Sequence, residues 1–134
     1  MVGSDYMTKK MNKRSLIIDD SVYMRKTIKH VLENAGYEIV GEARTGKEGI
    51  DLAMELKPDL ITLDNFLPDM EGIEILKVFN KEDIESKVIM ISAVSQESLI
   101  AEGLRLGAVD YLIKPFSKQD LITSADGAIM RDAV

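Results

Sequence analysis

Short apolar runs alternate with longer stretches of helical spacing along nearly the whole chain. The run SLII (15–18) is followed by Met24, Ile28, Val31, Leu32 and Ala35, which share one helix face. Gly36 stops that helix. EIVGEA (38–43) reads as a strand, and Thr45 is placed to cap a helix reaching Leu56, with Ile50, Ala53 and Met54 inward. Pro58 ends it. LITL (60–63) is a third strand and runs into DNFLPDMEG. A helix from about Ile73 to Phe79 follows, then the strand KVIMIS (87–92), a helix over 97–106 stopped by Gly107, and the strand DYLI (110–113). Leu121, Ile122, Ala125 and Ile129 mark the last helix.

These are five βα units. Near-continuous apolar strands with short connections predict an α/β fold: a doubly wound, five-stranded parallel sheet with helices on both faces. Right-handed crossovers then bring all five strand C-termini to one edge, where open sheets of this class hold their ligands. No repeat, low-complexity tract or internal linker interrupts the pattern.

Composition narrows the function classes. A chain of 134 residues is the size of one domain. Its net charge of −6 argues against nucleic acid as a partner bound through a broad basic surface. The absence of Cys excludes disulfides, thiolate chemistry and Cys-based metal sites. No apolar stretch approaches a membrane span, and the start MVGSDYMTKKMNKR lacks the apolar centre of a signal peptide, so a cytoplasmic protein that does not engage a membrane is expected. Residues 1–13 are polar and aperiodic and read as a flexible leader to a domain over 14–134.

The chemistry gathers at the predicted edge. The first strand ends in Asp19 and Asp20, the third in Asp64 and the fourth in Ser92, while Lys114 and Pro115 follow the fifth. A single Asp at a strand end is commonly a helix N-cap, and that alternative stands for Asp20 taken alone. It does not explain three carboxylates, a hydroxyl and an ammonium group converging from four places. Carboxylates ~5 Å apart repel by roughly 3 kcal/mol per pair at an effective dielectric of about 20. A hard divalent cation offsets that repulsion, and Mg²⁺ typically takes one or two carboxylates, waters and phosphate oxygens. Asp19 and Asp20 thus look like the metal-holding half of a phosphoryl-transfer site, with Lys114 and Ser92 suited to hold the oxygens of the transferred group.

The set IIDDS, LDNFLPDMEG, MISA and YLIKPF resembles the receiver domain of bacterial and archaeal two-component response regulators, over about residues 14–130. DDSVYMRK and the apparent lack of an output domain look most like the free-standing, CheY-like chemotaxis regulators. The resemblance implies a CheY-like, flavodoxin-like topology. It implies that Asp64 is the nucleophile and the modified residue, taking a phosphoryl group from a phosphohistidine on a partner histidine kinase. It implies that Mg²⁺ is held by Asp20, Asp64 and the backbone carbonyl of Phe66, with Asp19 acting directly or through water. Lys114 would pair with the phosphoryl oxygens, and the Lys114–Pro115 peptide would be cis. Ser92 would move toward the phosphoryl group and Tyr111 would swing inward behind it, switching an output face over 97–130 that signals to a downstream protein. A partner phosphatase would end the signal. Phe66 and Leu67 depart from the residues most common at their positions.

Blander roles compete: strand-end capping for Ser92, half-buried packing for Tyr111, a surface charge for Lys114. His30, the only histidine, is expected to serve packing or the surface, and KEDIE (81–85) a solvated loop. Among rival functions, an aspartyl phosphatase of the haloacid-dehalogenase type needs a second Asp two positions after the nucleophile, where this chain has Phe66. A nucleotide or flavin carrier wants amides and hydroxyls after the first strand, where Asp19 and Asp20 would repel phosphate. A degenerate receiver used only for binding is opposed by the presence of all five site residues. A receiver cut from a larger regulator, with a methylesterase or DNA-binding output, is the closest alternative.

Overall fold

The structure is a computed structural model, and it describes residues 13–130. The leader expected over 1–13 therefore lies outside the described residues apart from Lys13. Five strands, β1 (Arg14–Ile18), β2 (Glu38–Ala43), β3 (Leu60–Asp64), β4 (Lys87–Ser92) and β5 (Asp110–Ile113), alternate with five helices. The helices are α1 (Val22–Asn34), α2 (Gly46–Leu56), α3 (Gly72–Lys81), α4 (Glu97–Arg105) and α5 (Lys118–Met130). All strand pairs are parallel, in the order β2-β1-β3-β4-β5.

Side-chain alternation divides the core into two layers. Ile17, Leu60, Ile89 and Ile91 face Ile28, Val31 and Leu32 of α1 and Leu121 and Ala125 of α5. Leu16, Ile18, Ile61, Leu63, Val88 and Met90 face the other way, toward Ala53 of α2 and Ile73, Ile75, Leu76 and Phe79 of α3. The central strands are apolar on both faces because both faces are covered.

Local chemistry sets the helix boundaries. The Ser21 hydroxyl accepts from the Met24 amide, so α1 starts two residues before the apolar periodicity. The Thr45 hydroxyl accepts from the Glu48 amide at 3.2 Å, as its position predicts. Lys57, in the left-handed conformation, closes α2 ahead of Pro58. Met54 differs from expectation. It is exposed, and the buried face of α2 is instead Gly46, Gly49 and Ala53. At Gly49 a Cβ would stand 2.7 Å from Ile18 Cδ1, so this helix lies too close to the sheet for a wider apolar stripe.

Candidate phosphoryl-transfer site

The chain reverses its direction of growth along the sheet between β1 and β3, which are neighbours although β2 separates them in sequence. Connections leaving these two strands diverge and open a crevice at their C-terminal ends. Register then determines what lines it. Ile18 pairs with Leu63, so Asp19 and Asp64 follow side by side, with Asp20 next to them. Ligand oxygens of Asp19, Asp20 and Asp64 all lie within 4.8 Å of one another. Asp19 and Asp64 are buried, while Asp20 is exposed at the crevice mouth.

Two of the three carboxylates are positioned by hydrogen bonds. Asp19 Oδ1 accepts from the Ser21 amide at 2.9 Å, and its backbone carbonyl accepts from the Arg25 guanidinium at 2.7 Å. Arg25 also pairs with Glu42 of β2 at 3.4 Å, which ties α1 to the sheet below the site. Asp64 Oδ1 accepts a long bond, 3.4 Å, from the Phe66 amide. The helix-cap alternative for Asp20 is removed, since Ser21 caps α1.

Lys114 reaches in from the end of β5. Its ammonium lies 2.9 Å from Asp19 Oδ2 and 3.6 Å from Asp64 Oδ2, largely screened from solvent. The peptide joining it to Pro115 is cis, as the resemblance implied. Burial pushes the Asp64 carboxyl above the usual range, and the Asp19 and Asp20 charges push the same way; Lys114 and the Phe66 amide oppose them. The site thus holds more negative charge than Lys114 neutralises.

Ser92 ends β4, fully buried, and its hydroxyl accepts from the Val94 amide at 3.1 Å. Tyr111, expected to swing inward, is already inside: its ring is buried and its hydroxyl donates to the Val94 carbonyl at 3.0 Å. Both contacts converge on the loop after β4. Phe66 is 46% exposed beside the carboxylates. His30 is exposed and bonded to Asn34, away from the site, and residues 82, 83 and 85 of the acidic loop are exposed while Ile84 packs on the core.

Sequence reasoning missed two supports. Asp69 accepts from the Gly46 and Lys47 amides at the start of α2, and those bonds hold its carboxyl below the ordinary range. Arg25 was hidden among the charges of an amphipathic helix and carried no signal of its own.

An oxygen-only donor set of three carboxylates suits a hard cation. Around Mg²⁺, at about 2.1 Å from each ligand, oxygens are separated by about 3 to 4 Å. With one oxygen of each carboxylate within 4.8 Å of the others, the residues present fit the ion.

Comparison with known proteins agrees with this geometry. Residues 15–126 match the response regulator receiver domain family. The chain is 40% identical over 112 residues to the chemotaxis protein CheY of Thermotoga maritima, covering 84% of this chain and 93% of that one. It is 41% identical over 105 residues to the protein-glutamate methylesterase/protein-glutamine glutaminase of the same organism, covering 76% of this chain but 30% of the enzyme. Among solved structures, the CheX–CheY–BeF3–Mg complex of Borrelia burgdorferi superimposes with a TM-score of 0.82 at 30% identity, covering 90% of this chain and 89% of that one. The chain belongs to the receiver domain family of two-component response regulators, and within it is similar to CheY.

Proposed function

We propose that this chain is a single-domain response regulator of the cytoplasm, of the chemotaxis type, in which Asp64 accepts a phosphoryl group from a histidine kinase. The observation that carries this reading is the crevice itself: three carboxylates within 4.8 Å of one another, with the Lys114 ammonium against two of them. An Asp64 oxygen forms the new P–O bond while the P–N bond of the kinase phosphohistidine breaks and its imidazole leaves with the bonding pair. Asp20, Asp64 and the Phe66 carbonyl, with Asp19 directly or through water, would hold Mg²⁺, which would neutralise charge on the carboxylates and phosphoryl oxygens. Lys114 stands where it can exchange its carboxylate partners for a phosphoryl oxygen. The Ser92 hydroxyl is the second group able to turn to that oxygen, releasing its hold on Val94. The charge added at Asp64 is about −1.5 to −2. Tyr111, bonded to the same loop residue, couples that change to the face over 97–130, where a protein partner would read it.

One observation favours a second reading. The match to the methylesterase covers 76% of this chain but 30% of the enzyme, and on the second reading this chain is the receiver module of such a larger regulator. The phosphoryl chemistry is common to both.

The test is direct. Incubated with Mg²⁺ and acetyl phosphate, the protein should gain one phosphoryl group on Asp64, located by mass spectrometry after borohydride reduction. Asp64→Asn should abolish the gain, because an amide is a poor nucleophile. Labelling that survives the substitution would remove the assignment.

A further inference from the structure

One polar side chain near the crevice has no partner. Asn65, directly after the proposed acceptor, is fully buried, and neither its amide oxygen nor its amide nitrogen makes a hydrogen bond. Buried amides left unpaired are uncommon and destabilising, so one beside a functional residue calls for an explanation. Packing holds it there. Its backbone carbonyl accepts from the Gly72 amide at 2.6 Å, and a Cβ at Gly72 would stand 3.0 Å from Asn65 Cα. Helix α3 thus starts hard against this residue and closes it in.

Register shows what the amide sits beside. Asp64 pairs with Ile91 at the end of the β3–β4 register, and Asn65 and Ser92 are the residues that follow that pair. Ile61 and Leu63 of β3, and Val88 and Met90 of β4, all face the α3 side of the sheet. By the same alternation Ser92 projects to that side from the end of β4, and Asn65 meets the start of α3 there, where a Cβ at Gly72 would stand 2.9 Å from Met90 Cε and 3.0 Å from Asn65 Cα. The Ser92 hydroxyl holds the Val94 N–H, and the Val94 carbonyl holds the Tyr111 hydroxyl.

We infer that Asn65 is a positioning residue of the switch, its amide oxygen being the second acceptor for the Val94 N–H once the Ser92 hydroxyl turns to the group carried by Asp64. The inference rests on the reading of Asp64 as phosphoryl acceptor. If Ser92 turned away with nothing to replace it, the part-buried Val94 N–H would be orphaned and the turn opposed. With Asn65 in place, the Val94 N–H passes from one acceptor to another. In the resting state the amide lacks a partner; in the switched state it gains one. The two arrangements of the loop are thereby brought close in free energy, as a bistable element requires.

Beryllium fluoride with excess Mg²⁺ serves as the phosphoryl mimic, and the Val94 and Tyr111 amide resonances report binding. Asn65→Ser and Asn65→Ala leave nearly the same space but differ by one acceptor oxygen, while Asn65→Leu keeps the volume and removes polarity. We expect Asn65→Ser to bind within threefold of wild type. Asn65→Ala and Asn65→Leu should bind about tenfold more weakly, about 1.4 kcal/mol. Asn65→Leu should also melt higher than wild type without metal, since its resting state carries no orphaned amide. Serine and alanine variants weakened equally would assign the loss to packing and overturn the inference, as would alanine and leucine variants that bind like wild type. A wild type that does not bind beryllium fluoride would overturn the reading of the site itself, and this inference with it.

Discussion

Phe66 and Val94 flank the proposed acceptor, one two residues beyond Asp64 and the other two beyond Ser92, and neither can orient a water molecule. Hydrolysis of an acyl phosphate on Asp64 needs a water in line with the P–O bond, and positioning dominates the barrier of such transfers. Phe66 is 46% exposed two residues beyond Asp64, so an apolar side chain stands open there in place of a polar one. The phosphorylated protein should therefore lose its label slowly and depend on a partner phosphatase that inserts a polar group. Phe66→Asn offers the water one hydrogen bond, about 1 kcal/mol, and each 1.36 kcal/mol is about tenfold in rate. Self-dephosphorylation should accelerate by about fivefold, measured as decay of phosphorylated protein after removal of donor in excess Mg²⁺. An unchanged decay would show that these positions do not control the water. The apolar character of both residues was visible in the chain. That Phe66 lies open and Val94 is pinned through both its amide and its carbonyl was not, because it depends on loop geometry.

The elements are tied by contacts far apart in sequence. Tyr37, in the turn between α1 and β2, is buried and donates its hydroxyl to Asp126 of α5 at 2.7 Å, joining the two helices on that face. Burial, then the hydrogen bond and charge of Asp126, push the phenol well above its ordinary value. The sign follows from linkage. The unfolded phenol ionises near pH 10 while the folded one stays neutral. The stability it contributes is complete below about pH 10 and is lost as pH rises beyond that toward the folded value. Tyr37→Phe should cost about 1.5 to 3 kcal/mol at neutral pH, as for a hydrogen bond to a charged group. The difference between variant and wild type should shrink above pH 10, which urea denaturation at a series of pH values would show. A gap constant with pH would mean that the phenol ionises alike in both states. Element order was legible because strand and helix periods differ so plainly along this chain. Tyr37, Asp126 and the cap supplied by Asp69 were not, since each acts on a partner that only the tertiary fold brings near.

At the scale of the molecule, the strand order decides the function. Apolar runs and glycine stops indicate five βα units but do not say which strands are neighbours. Placing β1 beside β3 turns two acidic strand ends into one pocket, and the resemblance of the motifs, more than their spacing, anticipated it. The same arrangement makes the crevice a liability without a cation. Burial and two neighbouring carboxylates disfavour the charged form of Asp64, and only Lys114, with a backbone amide, works the other way. A cation that binds the folded state alone stabilises it by mass action, about 2.7 kcal/mol at a hundredfold excess over Kd. For a domain of this size, that is roughly 10 °C in Tm. Calorimetry in EDTA and then in rising Mg²⁺ should show that increase, with no change in equal concentrations of Na⁺. Asp20→Asn removes one charge from the mouth of the crevice. It should melt higher than wild type in EDTA and gain less from Mg²⁺, so that the two melting curves converge or cross as the ion is added. Equal gains for variant and wild type would place the ion elsewhere, and a Tm indifferent to millimolar Mg²⁺ would mean that the three carboxylates do not form a cation site.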